Sequence, residues 1–167
     1  MDHSLGPTGP GWLVALETSG LGEALRGSLW LYPLVEVLHI LGLALLVGAI
    51  AAFDLRLMGL HARLPAEALS RLLLPVAVVG FLLAVPTGIL LFVSEATALA
   101  RNPAFLVKMG LLVAALGNIA LFHRGAGRRI PDWGGGGRPP PAARVAGAAS
   151  LLLWVGVLAS GRLIAYL

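Results

Sequence analysis

Four long apolar runs, roughly 29–53, 72–94, 104–122 and 145–166, alternate along the chain with short stretches that carry most of its arginines. About 20 apolar residues in a helix cross the hydrocarbon of a bilayer, so each run predicts a membrane-spanning helix. The second run holds no charged residue; the others hold only Glu36, Lys108 and Arg162, the last two near span ends. The predicted fold is all-α: an integral membrane four-helix up-down bundle over residues 29–167. Residues 1–28 form a tail in which Trp12–Arg26 sets Leu13, Leu16, Leu21 and Leu25 among Glu17 and Glu23. That pattern predicts a short amphipathic helix lying at the membrane interface.

Smaller features refine the picture. Ala44, Gly48 and Ala52 recur every fourth residue in the first span, as do Gly80, Ala84 and Gly88 in the second. Ridges of small residues let helices approach closely in lipid, here within the chain rather than between chains. Pro86 removes a backbone donor and predicts a kink, with the neighbouring Thr87 bonding a freed carbonyl. Residues 125–141, with four consecutive glycines and three consecutive prolines, read as a mobile or extended connector without a fold of its own, apart from Ile130-Pro-Asp-Trp133 touching the interface.

Composition agrees with a membrane protein. Mean hydropathy is +0.90, and charged residues make up 12% of the 167, against about 25% in soluble domains. The chain has no cysteine, which excludes disulfides, thiolate metal sites and cysteine-held clusters. The start of the chain lacks a basic stretch and an apolar core, so no cleavable signal peptide is expected. A sequence pI near 10.7 and net charge +4 do not imply nucleic acid, because the cations flank apolar spans. Arg56, Arg63 and Arg71 lie in the first loop; Arg124, Arg128, Arg129, Arg138 and Arg144 lie in or beside the third. These eight, against Arg26, Arg101, Lys108 and Arg162, predict that loops 54–71 and 123–144 are cytoplasmic and both termini periplasmic, in a bacterial inner membrane.

The polar residues inside the spans carry whatever chemistry the chain has. Glu36, His39 and Asp54 fall on one stripe of the first span, since the 18 positions from Glu36 to Asp54 close five helical turns. Such a stripe is expected to face protein. His39 lies roughly 13 Å below the outer interface and Thr87 about 15 Å, so the two match in depth. Lys108 and Arg162 fall one level higher. A buried imidazole below two cations suits a b-type haem, with His39 on the metal and Lys108 and Arg162 beside the propionates. Glu36 and Thr87 complete that group of candidate cofactor-binding residues. The alternative is that the two cations snorkel to the interface or pair with Glu95 and Glu36 without a cofactor. No second histidine shares the depth, so a haem here would be five-coordinate or would take Met109, a residue from a partner chain, or water. Asp54, Arg56, Asn118 and His123 read as structural polar residues: Asp54 and Arg56 making ion pairs at a helix end, Asn118 bonding a neighbouring helix. Trp154 reads as core.

Taken together, Trp30-Leu-Tyr-Pro33, Leu38-His-Ile-Leu-Gly42, Asp54-Leu-Arg-Leu57, Thr87-Gly88, Asn102-Pro-Ala-Phe-Leu-Val-Lys108 and Gly161-Arg-Leu-Ile-Ala-Tyr166 resemble a family of uncharacterised bacterial four-helix membrane proteins. More distantly the chain resembles the copper-resistance D (CopD) membrane domain and the HemJ-type protoporphyrinogen oxidase. The order His39, Gly48, then Arg56-Leu-Met-Gly-Leu-His61, with Lys108 opening the third span, carries that second likeness. The resemblance implies a haem b site on the first-span histidine, with porphyrin as cofactor or substrate. With haem bound, redox or electron transfer is the natural activity, because the cofactor carries the chemistry. Copper transport does not follow, because soft ligands are too few. Two other readings stay open: an accessory subunit of a larger membrane complex or a homo-oligomer, and a proton or ion path through Glu36, His39 and Asp54.

Overall fold

The computed structural model describes residues 7–133 and 139–167, and every regular element among them is helical. Four helices are long and apolar enough to cross a membrane: α3 (Leu31–Met58), α4 (Ala66–Ser94), α6 (Pro103–Arg124) and α7 (Pro141–Leu163, continued as a 3-10 turn to Tyr166). Two short helices, α1 (Gly11–Glu17) and α2 (Gly20–Gly27), precede them, and α5 (Ala96–Leu99) joins α4 to α6.

Each boundary has a local cause. α3 runs past the apolar stretch predicted for it and ends at Gly59, whose φ of 105° is left-handed. There the Gly59 and Leu60 amides close on the Arg56 and Leu55 carbonyls at 3.0 Å. Asn102 caps α6, its Oδ1 accepting from the Ala104 and Phe105 amides at 2.9 and 3.2 Å, with Pro103 at the first helical position. The single helix expected over 12–26 is two, because Ser19 takes up the N-cap of α2 by accepting from the Gly22 amide. A side chain at position 22 would run into the Glu17 carbonyl, so the fold-back requires this glycine. Leu13 and Leu25 bury against the protein while Leu16 and Leu21 remain exposed.

α3 packs along α4 on one side and α7 on the other, and α6 packs on α7. The order α4–α3–α7–α6 makes a curled row whose two outer members, α4 and α6, hardly touch backbone to backbone. At the end where Ser94, Asn102 and Ile164 gather, hereafter the terminal end, Phe92 and Phe105 stack across that cleft with centroids 5.5 Å apart. The opposite, loop end is closed by Leu57, Phe122 and Ala143. Between them lies an apolar core of Leu46, Ala49, Ala77, Ala115, Trp154 and Val157, so Trp154 is core as expected.

Small residues do set the tightest contact, but only one of the two expected ridges takes part. Gly80, Ala84 and Gly88 of α4 face α3. A Cβ on Gly80 would fall 2.5 Å from the Leu46 nitrogen, and one on Gly42 would fall 2.7 Å from the Ala84 nitrogen. The expected ridge Ala44, Gly48 and Ala52 instead points away from the protein, and Gly48 has nothing within 4 Å. Gly42, two positions out of that register, is the residue α4 meets.

The connector 125–141 also differs from expectation. Ala126–Trp133 forms a 3-10 helix that folds back onto α4, α6 and α7, burying Ala126 and Ile130 against the loop-end cluster. Gly127 sits where a Cβ would fall 2.9 Å from the Phe122 carbonyl oxygen, which lets the turn lie flat on α6. The glycine run at 134–137 lies outside the described residues.

Candidate functional site

His39 leaves α3 toward α4. Its Nδ1 lies 2.9 Å from the Ala84 carbonyl oxygen and 3.1 Å from Thr87 Oγ1. A carbonyl only accepts, so Nδ1 carries the hydrogen and the lone pair of the neutral ring sits on Nε2. Thr87 is buried and donates its own hydrogen to the Leu83 carbonyl at 2.6 Å, leaving its oxygen free to accept from the ring. Pro86 leaves the Leu82 carbonyl without its helical donor, whereas Thr87 bonds the next one, Leu83, so the expected re-bonding of the freed carbonyl is not what Thr87 does; the contact fixes the imidazole instead. Gly88 supplies the space: a Cβ there would stand 3.0 Å from His39 Cε1. Nε2 has no hydrogen-bond partner and is not among the fully enclosed polar atoms, so it is the open nitrogen of a half-buried ring.

Lys108 approaches from α6, one turn from the Phe105 that stacks on Phe92. Its charge acts on the His39 ring, and its side chain runs beside Gly161 of α7, with Nζ 3.7 Å from where a Cβ on that glycine would be. Among the described residues it forms no ion pair, unlike the exposed Arg71, which meets Glu67 at 2.6 Å. Tyr32, one turn before Glu36, was missed by sequence reasoning, although its spacing places it on the same face. Its hydroxyl feels the charges of both Glu36 and Glu95, so these three share the terminal end above His39.

The structure thus gathers His39, Thr87 and Lys108. Glu36 stands exposed, so the expected inward stripe holds for His39 and Asp54 and fails one turn earlier. Arg162 is exposed and turns along its own helix, donating to the Tyr166 hydroxyl at 2.8 Å and lying 5.1 Å from that ring.

The remaining polar residues have separate duties. Asn118 Nδ2 donates to the Ala146 carbonyl of α7 at 3.0 Å, an interhelical bond as expected. His123 is exposed, with Nδ1 on its own helix's Ile119 carbonyl at 2.9 Å. Arg56 is buried and binds the Leu64 and Ala62 carbonyls at 2.7 and 3.1 Å, which pins the α3–α4 loop. Asp54 does not make the ion pair expected of it. It is 4% exposed, and its Oδ2 has no hydrogen-bond partner. α7 packs closely here: a Cβ on Gly147 would stand 3.0 Å from the Asp54 carbonyl oxygen, so the helix comes within backbone contact of Asp54 and no cation lies between them.

Sequence gave no signal for the bonds that tie down the N-terminal segment. Glu17 Oε2 accepts from the Thr97 amide and hydroxyl at 2.8 and 2.7 Å, and Arg26 donates to the Ser94 and Glu17 carbonyls at 2.7 Å each. Among the described residues no cluster of three or more His, Cys, Asp or Glu side chains is placed to hold a metal ion by itself. Comparison of the chain with protein-family models, with curated proteins and with solved structures gave no match.

Proposed function

We propose that the protein is a multi-pass protein of a bacterial inner membrane that binds b-type haem or a related porphyrin through His39. In this reading the spans run up and down with both termini periplasmic, loops 54–71 and 123–144 face the cytoplasm, and α1 and α2 lie at the outer interface. The observation that carries it is the His39 ring. An imidazole whose Nδ1–H is fixed on a backbone carbonyl presents a basic, oriented Nε2, the arrangement that tunes metal-bound histidines. Lys108, without an ion-pair partner and within electrostatic reach, suits a propionate. Thr87 and Gly88 position the ring and give it room. A bound haem would supply one-electron redox chemistry; the chain's part is to hold, orient and desolvate it.

The test is spectroscopic. Protein purified in mild detergent from haem-replete cells shows a Soret band, and reduction sharpens its visible bands. His39→Ala removes the band while the protein remains monodisperse. A colourless wild-type protein, or a band that persists in His39→Ala, overturns the reading. Orientation has its own check: a periplasm-active reporter fused after Leu167 is on, and silence there reverses the topology.

A further inference from the structure

A second site lies at the loop end, in the cleft between α4 and α6. A cavity of about 330 Å³ is walled there by Ile50 and Phe53 of α3, Ala77 and Val78 of α4, and Leu116 and Ile119 of α6. Its size is at the lower end of the range of small-molecule sites, roughly 300–1,000 Å³. Asp54 lines it, 96% buried by its 4% exposure, with Oδ2 unpartnered. No lysine or arginine is among the lining residues; the other titratable one is His123, which is exposed and occupied with its own helix. Ser150 of α7 is the polar side chain facing the carboxylate.

Position makes this carboxylate unusual. It is one turn from the end of α3, where a solvated group would be ordinary, yet Leu57, Phe122 and Ala143, backed by Ala126 and Ile130, seal it from the loop-end solvent. The open side of the cavity is the cleft, rimmed by the exposed Leu74, Val78 and Leu116. A buried carboxylate with an idle oxygen carries a desolvation cost that a cation in the same space offsets.

We propose that this cavity binds an apolar molecule bearing one cationic nitrogen, which enters from the lipid between α4 and α6 and pairs with Asp54. The walls match an aliphatic or aromatic body, and the single carboxylate matches a single positive charge. The site is independent of His39, from which the Leu46–Trp154 core divides it.

The probe pair is 1-adamantylamine and its neutral isostere 1-adamantanol. Each is measured by equilibrium dialysis against the protein in nanodiscs of zwitterionic lipid, with empty nanodiscs subtracted. The wild type binds the amine saturably and at least roughly tenfold tighter than the alcohol, the worth of a hydrogen bond to a charged group. Asp54→Asn brings the two ligands level. Leu116→Trp, which fills the rim from an exposed position and leaves Asp54 intact, weakens both ligands together. Three results overturn the proposal: no saturable amine binding, equal affinity for amine and alcohol, or an amine preference that survives Asp54→Asn. Should Asp54→Asn fail to fold, unchanged amine affinity in Leu116→Trp overturns it instead.

Discussion

The two ends of the α4–α6 cleft hold buried polar groups under opposite conditions. At the terminal end His39 is tied to Ala84 and Thr87, with Lys108 at longer range. At the loop end Asp54 stands in an apolar wall with one oxygen unbonded. The difference lies in what the facing helix offers. α4 brings a proline-disturbed turn, where Thr87 and the Ala84 carbonyl accept from the ring and Gly88 makes room for it. α7 brings Gly147, which presses close to the α3 backbone and leaves Ser150 as the carboxylate's polar neighbour. The first end is organised around an oriented nitrogen, the second around a buried carboxyl group with one oxygen unbonded.

Perturbing the contact that both ends depend on has the largest effect. Gly80→Leu drives a side chain into the Leu46 backbone and is expected to cost about 3 kcal/mol or more, seen as aggregation or early thermal unfolding in detergent. Gly48→Leu, placed in open space on the same pair of helices, leaves the unfolding curve within about 0.5 kcal/mol of wild type. Equal effects for the two would mean that α3 presents a different face to α4.

Next in size are two changes that separate the ends. Removing the Glu17 carboxylate in Glu17→Ala breaks its bonds to Thr97 and is expected to cost roughly 1.5–3 kcal/mol. Proteolysis then cuts near residues 18–19 while the four long helices stay intact; an unchanged cleavage pattern would show that the segment is held by Leu13 and Leu25 alone. His39→Phe loses the interhelical bond to Ala84, worth about 0.6–1.7 kcal/mol in a membrane. Asp54→Asn, by contrast, leaves stability unchanged or raises it by about 1 kcal/mol, because the buried oxygen it replaces has no hydrogen-bond partner to lose. A loss in Asp54→Asn as large as that in His39→Phe would erase the contrast between the two ends.

Much of the fold can be read from the sequence, and the reasons for the rest are specific. Hydropathy located the four long helices, and the polar caps and the Asn118 bond follow from residue chemistry. The first helix was cut short at Phe53 because Asp54 and Arg56 end the apolar run, whereas the backbone continues until Gly59 supplies a left-handed turn. Spacing found the ridge on α4 but chose the wrong face of α3, since Gly42 and Gly48 are indistinguishable until the partner is known. Residues 126–133 fold because Ala126 and Ile130 have a surface to cover, something that glycine and proline content conceals. His39, Thr87 and Lys108 were legible as a group because depth along a helix follows from counting. Asp54 was misjudged because it packs against a neighbour 93 positions away, Gly147.

The smallest change expected is at the exposed pair: Arg71→Ala shifts stability by about 0–1 kcal/mol, a baseline against which the other variants are read.

The central claim, that His39 Nε2 is a ligand-binding atom, is tested most directly by titrating haemin into the purified apoprotein. The account predicts a Soret change that saturates at one haem per chain and disappears in His39→Ala. An identical titration in wild type and His39→Ala would contradict it.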